Sequence, residues 1–300
     1  MDNELLLFDR LEAIKTANDK YDLENNAYLS FSGGKDSTIL HHLLDIALPN
    51  NRIPRVFIDT GIEYKMMRDY VLKMAEKDDR IHIIKPSVSI KPMLEKEGYP
   101  FKSKEHSKLL SLYQHNSRNS DWLKNYLSDD QSATKRQCPK VLKGQFNEKY
   151  GLKVGDKCCA NLKKKPVKKW ERENNRYIAM TGMRREEGGQ RANIKGCILT
   201  DKNGKVSKFH PLLVVSEEWE DWFVKENNIR LCELYYPPFN FKRTGCKGCP
   251  FSLDLQEQLT TMALYLPKER EQCEFIWKPV YEEYRRLHYR LDEWEQMKLF

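Results

Sequence analysis

The stretch Ser32-Gly-Gly-Lys-Asp-Ser37 places two glycines, a lysine and an aspartate between an apolar run and a leucine-rich run. The apolar run at 28–31 predicts a short strand, and the spacing of apolar residues in 37–47 predicts a helix. Glycine lets the backbone adopt positive φ and approach an anion closely. The first turn of a helix offers unpaired N–H groups and the positive end of the helix dipole. This junction therefore predicts a site for a pyrophosphate group.

Side chains around the two glycines favour the same interpretation. Lys35 adds a positive charge, and hydroxyl groups stand at Ser32, Ser37 and Thr38. The order of residues is neither that of a Walker A loop nor that of a G-x-G-x-x-G loop. A tight turn followed by a serine cap is the alternative that this stretch, taken alone, leaves open.

Four of the eight cysteines form two close pairs in the sequence. Cys246 and Cys249 are separated by two residues and are flanked by glycine and proline, a spacing that points two sulfurs at one metal. Cys158 and Cys159 are adjacent, which is unusual in zinc sites. The two pairs predict a shared metal or cluster site; an iron–sulfur cluster, zinc and free buried thiols are the alternatives.

Bulk composition excludes several classes of protein. The chain has 300 residues, of which 40% are hydrophobic and 32% charged, and no apolar run approaches the roughly 20 residues of a membrane span. The N-terminal MDNELLLFDR is acidic and does not resemble a signal peptide, so we expect a cytoplasmic protein with no membrane partner. Disulfides are not expected there. The net charge of +8 favours an anionic partner.

The elements that must position these residues follow a β-α-β-α-β order. This order predicts an α/β fold with a parallel sheet and right-handed crossovers. The tail is expected to be helical, with a break near Pro267. A polar and basic insertion is expected at about 85–175, within a first domain at 1–215 and before a helical C-terminal region at 216–300. The predicted helices lie at 1–26, 37–47, 63–75 and 219–226, and the predicted strands at 28–31, 55–59, 81–84, 176–180 and 209–214.

Three stretches resemble those of a known family. They are S-G-G-K-D-S, V-F-I-D-T-G at 56–61 and T-G-M-R-R-E-E-G-G-Q-R at 181–191. Together they resemble the phosphoadenylyl-sulfate (PAPS) reductase family of the adenine-nucleotide α-hydrolase-like superfamily, whose members include PP-loop ATP pyrophosphatases. The resemblance implies a Rossmann-like parallel sheet of about five strands that is flanked by helices and binds an adenine nucleotide.

The resemblance also implies roles for individual residues. Asp36 would hold Mg²⁺, although an acidic residue in the first turn of a helix also stabilises the helix dipole. Asp59 would border the adenosine, or would be a turn residue. Arg184 and Arg185 would bind phosphate or sulfate, or would lie on a solvated face. The implied catalytic residues are Lys35, Asp36, Arg184 and Arg185, and the implied nucleotide-binding residues are Ser32, Gly33, Gly34, Lys35, Asp36, Ser37, Thr38, Phe57, Ile58, Asp59 and Gly182.

The cysteine pattern carries a second resemblance. An adjacent pair followed by a distant C-x-x-C is similar to the [4Fe–4S] site of assimilatory adenylyl-sulfate reductases. This resemblance implies that Cys158, Cys159, Cys246 and Cys249 are the cluster ligands. Zinc remains the alternative metal.

Two departures from the reductases bear on the reaction. The stretch LHYRLDEWEQMKLF at the C-terminus contains no cysteine, whereas the reductases use a C-terminal cysteine as nucleophile, and the S-G-G-K-D-S loop is closer to those of ATP pyrophosphatases. We therefore expect an ATP pyrophosphatase in sulfur transfer to nucleic acid (DNA or tRNA), with Mg²⁺ and a sulfur-donor protein such as a cysteine desulfurase. A reductase that releases sulfite, and a non-catalytic nucleotide-binding subunit with structural zinc, are the alternatives.

Overall fold

The computed structural model of the protein describes residues 2–118, 120–128 and 137–292. These residues separate into two compact units. The first unit comprises 2–59, 63–86 and 165–244; the second comprises the described parts of 60–62, 87–164 and 245–292. The domain boundary at residue 215 stays a prediction. None of the described helices has the length and apolar character that a membrane crossing requires.

The first unit is built on one six-stranded sheet, which confirms the predicted α/β class. The strand order is β3-β2-β1-β4-β6-β5, and every pair is parallel except β5 with β6. Four strands lie where the sequence predicts them. The strands are β1 (Ala27–Ser30), β2 (Arg55–Ile58), β3 (Ile81–Ile84), β4 (Ile178–Met180), β5 (Ile198–Thr200) and β6 (Val206–Phe209).

The predicted fifth strand at 209–214 is wrong. The strand ends at Phe209, and the chain then turns, with Leu213 N donating to His210 O at 3.1 Å and Val215 N to Leu212 O at 3.2 Å. Leu212, Leu213 and Val215 are buried because they pack into the core as turns, whereas Val214 is exposed. The short and partly exposed β5 was not predicted.

Helices cover the sheet of the first unit. In α3, Ile39, Leu40, Leu43 and Leu44 are fully buried against the sheet, as their helical spacing predicts. Burial of each such side chain stabilises the fold by about 1.5–3 kcal/mol, which fixes α3 and the loop before it. The helices are α1 (Asn3–Tyr21), α2 (Leu23–Asn26), α3 (Lys35–Ala47), α4 (Lys65–Ala75), α9 (Lys165–Glu173) and α10 (Glu217–Glu226).

Helices and the turns that connect them make up most of the described part of the second unit. Ser103 and Ser120 cap α6 and α7, each accepting a hydrogen bond from an amide three residues on. A π-helical segment, Ala160–Lys164, directly follows the adjacent cysteines. The predicted break near Pro267 is confirmed, since α12 begins there. The helices are α5 (Ile90–Glu97), α6 (Lys104–Gln114), α7 (Asp121–Leu127), α8 (Lys140–Lys143), α11 (Leu255–Tyr265) and α12 (Pro267–Arg286).

Candidate functional site

The glycine loop lies where the strand order of the sheet reverses. From β1 the chain proceeds to β2 and β3 on one side, and it returns as β4 on the other. In open parallel sheets, ligands bind at the carboxyl ends of the strands at such a point. Residues 31–34 follow β1, and residues 181–185 follow its parallel neighbour β4. Two of the predicted site segments therefore lie side by side.

The conformation of the loop requires glycine. Gly33 has φ +73°, and a Cβ there would lie 2.6 Å from Val71 Cγ2 and 2.7 Å from Met67 Sδ. Glycine is required at position 182 for a different reason, since a Cβ there would lie 2.6 Å from the carbonyl oxygen of Asp36. The end of β4 thus approaches the first turn of α3 so closely that no side chain fits between them.

Hydroxyl oxygens accept several of the amide hydrogens in this loop. Ser32 N donates to Ser37 Oγ at 3.2 Å, Gly34 N to Ser32 Oγ at 3.3 Å, and Lys35 N to Tyr235 Oη at 2.9 Å. Thr244 Oγ1 lies 2.7 Å from the same Tyr235 hydroxyl. Gly34 caps α3 without a side-chain hydrogen bond. The loop therefore places backbone N–H donors next to side-chain hydroxyl groups, and rotation of these hydroxyls would let them donate to an anion.

Two carboxyl groups and an arginine meet at the first turn of α3. Arg184 Nε lies 3.2 Å from Glu220 Oε2 and 3.8 Å from Asp36 Oδ1. The Glu220 side chain is fully buried on α10, and neither of its oxygens has a hydrogen-bond partner among the described residues. Sequence reasoning did not identify Glu220, because α10 is 180 residues further along the chain than this loop.

Burial raises the pKa of both carboxyl groups of this pair. Burial, and then the charge of Asp36, raise the pKa of Glu220 to about 9. Burial also raises the pKa of Asp36, while the Arg184 charge opposes the rise. Glu220 is fully buried and Asp36 is half-buried, and a buried carboxyl group with a raised pKa is typical of functional sites.

The two other predicted cations differ in their surroundings. Lys35 Nζ forms an ion pair with Asp221 and lies 3.9 Å from Glu220 Oε2, so α10 holds it at the carboxyl pair. Arg185 instead donates to the carbonyl of Ile194 at 3.1 Å. The structure brings Lys35, but not Arg185, together with this pair.

The end of β2 contributes one polar side chain. Phe57 is buried in the core and Ile58 is half-buried. Asp59 accepts a hydrogen bond from Arg68 Nε at 2.9 Å, and Lys85 Nζ lies 4.0 Å from the same carboxylate oxygen. Asp59 is therefore held by cations of its own unit.

The four paired cysteines all belong to the second unit. Burial raises the pKa of the Cys158 thiol, and the thiols of Cys246, Cys159 and Cys249 raise it further. Burial, followed by Cys246, raises the pKa of Cys249 to about 12, and Cys159 adds to the rise. The Lys163 charge lowers the pKa of both thiols. The two remote pairs thus lie close enough for thiols of one pair to influence the ionisation of Cys158 and Cys249.

No set of three or more His, Cys, Asp or Glu side chains in the described ranges is grouped closely enough to hold a single metal ion. A cavity of about 820 Å³ in the second unit is lined by Gln145, Tyr150 and Glu283 among others. It contains none of the predicted site residues.

The phosphoadenosine phosphosulfate reductase domain family matches residues 26–252 of the sequence. The chain belongs to this family. It therefore carries the family's nucleotide-binding PP-loop domain, which confirms the resemblance drawn from the three sequence stretches. The matched range includes the glycine loop, the carboxyl pair and all four paired cysteines.

Three proteins that resemble this PAPS reductase family member share either a short segment or a low sequence identity with it. An uncharacterized protein of Methanocaldococcus jannaschii is 40% identical over 73 residues, which is 24% of this chain and 17% of that protein. A PAPS reductase structure from Candida auris has a TM-score of 0.48 at 18% identity and covers 79% of this chain and 87% of its own. An NH3-dependent NAD synthetase from Campylobacter jejuni has a TM-score of 0.41 at 14% identity, covering 93% and 95%. These values are too low to bear on the activity of this family member.

Proposed function

We propose that this protein is an ATP pyrophosphatase that serves sulfur transfer to nucleic acid. The observation that carries the choice of ATP is a second carboxyl, the buried Glu220, next to half-buried Asp36 at the phosphate loop. Mg²⁺ accompanies nucleoside triphosphates and prefers carboxylate and phosphate oxygens. The oxygens of Glu220 have no hydrogen-bond partner among the described residues, which fits a cation ligand. Asp36 and Glu220 would hold Mg²⁺, which would neutralise charge on the leaving pyrophosphate.

The remaining residues of the loop would bind and orient the phosphates. The amides of Gly34 and Lys35 would donate to phosphate oxygens in place of the hydroxyls that now accept from them. The Arg184 guanidinium lies beside both carboxyls, with Nε 3.2 Å from Glu220 Oε2 and Nη1 donating to Glu186 Oε2 at 2.8 Å, and it would turn from these partners to the α-phosphate. Lys35 would leave Asp221 for the β- and γ-phosphates.

The reaction balances without an electron transfer when sulfur arrives as hydrosulfide. An acceptor oxygen attacks the α-phosphorus, the bond to the bridging oxygen breaks, and pyrophosphate leaves with the electron pair. The hydrosulfide then displaces AMP from the adenylated acceptor. With a persulfide donor, such as a cysteine desulfurase, the terminal sulfur displaces AMP and a dithiol then reduces the remaining S–S bond.

We further propose that the four paired cysteines hold a [4Fe–4S] cluster. Support comes from the electrostatic coupling of Cys158 with Cys246, Cys159 and Cys249 and from the resemblance of the pattern to adenylyl-sulfate reductases. Cys158, Cys159, Cys246 and Cys249 would be its four thiolate ligands. When bound, the cluster would supply one-electron chemistry or an iron site for sulfur. Nearby Lys163 would offset its negative charge.

The net charge of +8 and the exposed lysines after the cysteine pair support a nucleic acid as the acceptor. Trp170, in contrast, is buried 5.3 Å from the Tyr28 ring, so it packs in the core and does not offer a surface for base stacking.

The test is pyrophosphate release from ATP by anaerobically purified protein, with Mg²⁺, hydrosulfide and either DNA or tRNA. We expect release that is lost in Asp36→Asn and Glu220→Gln and retained in Glu226→Gln, a matched substitution at an exposed position of the same helix. Absence of pyrophosphate with every acceptor would overturn the proposal. Sulfite release from adenylyl sulfate would indicate the reductase instead. One zinc, no iron and no turnover would indicate the non-catalytic subunit.

A further inference from the structure

The C-x-x-C turn, defined here as residues 246–249, packs against one stripe of α12. The buried residues Glu269, Cys273, Trp277 and Tyr281 are spaced four apart along this helix, and Tyr284 follows three later. Side chains at such spacings lie on one face of a helix. All of these residues, and the turn itself, belong to the second unit.

Three aromatic side chains of this stripe donate hydrogen bonds to backbone carbonyls of the turn and of the proline after it. Trp277 Nε1 donates to Lys247 O at 3.2 Å, Tyr281 Oη donates to Gly248 O, and Tyr284 Oη donates to Pro250 O at 2.8 Å. The three rings are at most 1% exposed. A buried carbonyl without a donor costs free energy, so these bonds restrict the turn to one backbone path.

Two further contacts fix the turn from the same helix. Lys247, between the two cysteines, buries its ammonium group against Glu269 Oε2 at 2.7 Å and Gln272 Oε1 at 2.6 Å. Gly248 has φ +60°, and a Cβ there would lie 2.7 Å from the Sγ of Cys273. The helix α12 therefore fills the space on one side of the turn. Both residues between the cysteines contact it: Lys247 through its ammonium group, and Gly248 through the absence of a side chain.

We infer that Trp277, Tyr281 and Tyr284 are positioning residues, which hold the C-x-x-C turn in its metal-binding shape before any metal is present. With its carbonyls engaged by α12, the turn keeps Cys246 and Cys249 in place to interact with the thiols of the other pair. The inference rests on the proposed function in so far as the turn binds a metal or cluster.

The decisive variant is Tyr281→Phe, which removes the hydroxyl that donates to Gly248 and preserves the ring. Tyr150→Phe is the matched control, because that hydroxyl accepts from Gln145 Nε2 at 2.8 Å elsewhere in the same unit. Mass spectrometry measures the rate at which iodoacetamide alkylates Cys246 and Cys249 in metal-free protein. Absorbance measures the rate at which metal-loaded protein releases iron or zinc to a chelator.

We expect both rates to rise about fivefold in Tyr281→Phe, the factor that corresponds to one net hydrogen bond, and to stay at the wild-type value in Tyr150→Phe. Equal increases in the two variants would show general loosening and would overturn the inference, as would unchanged rates in Tyr281→Phe. If wild-type protein takes up neither metal but alkylation still separates the two variants, the cluster proposal fails and the positioning role stands. If iron is bound and neither rate responds, the positioning role fails alone.

Discussion

Replacing Glu220 with glutamine tests two effects of this buried carboxyl group: its effect on the free energy of unfolding and its role in activity. The side chain is fully buried beside Asp36, and its oxygens have no hydrogen-bond partner among the described residues. Glutamine has nearly the same size but cannot ionise. If Glu220 is retained for a ligand, its removal should stabilise the protein and abolish its activity at the same time.

The size of the stability effect follows from the pKa of Glu220, which is raised from 4.5 to about 9. Between these two pH values the folded state keeps a proton that the unfolded state has released, so stability falls as the pH rises. At about 1.4 kcal/mol per pH unit, the loss at pH 7 is about 3 kcal/mol. The Glu220→Gln variant should therefore be about 3 kcal/mol more stable than wild type at pH 7, with little difference near pH 4.

The assay is urea unfolding of metal-free protein at a series of pH values, paired with pyrophosphate release. We expect release to fall about 100-fold or more in the variant, as when one preorganised charged group is removed from an active site. A stability difference that does not change with pH would refute the assigned ionisation. Full pyrophosphate release by the variant would refute a functional role for Glu220.

Three other substitutions test the framework around the site by urea unfolding. Gly33→Ala should lower the free energy of unfolding by about 1–2 kcal/mol for its φ of +73° alone, and an unchanged value would contradict the loop conformation. Asp45→Asn should cost about 3–5 kcal/mol, because it leaves buried Arg55 without its 2.7 Å ion pair, whereas Asp79→Asn, at an exposed pair, should change little. The pKa of His106 is lowered from 6.5 to about 4, chiefly by burial, so the unfolded state gains a proton first and stability falls as the pH drops through this window. That loss should be about 3 kcal/mol smaller in His106→Gln, and an equal loss would exclude the assigned burial.

Much of the first unit could be predicted because its signals are local. Four consecutive strands carry apolar runs of suitable length, and α3 has its buried residues at helical spacing. The predicted helix at 219–226 is found as α10, which Ser216 caps by accepting a hydrogen bond from Trp219 N at 3.2 Å. The strand pair β5–β6 was not predicted because both strands are short and most of their residues are partly exposed. Their pattern of apolar and polar residues therefore differs little from that of a loop.

The β-α-β order, the glycine loop and the two cysteine pairs could be predicted from the amino-acid sequence, since each depends on residues within a few positions of one another. Which distant side chains join them depends on the folded chain. Glu220 and Tyr235 reach the loop from elements far along the chain, and the stripe of α12 that carries Tyr281 holds the C-x-x-C turn. Such contacts depend on how helices pack in three dimensions, and the spacing of residues within one helix does not specify its partner.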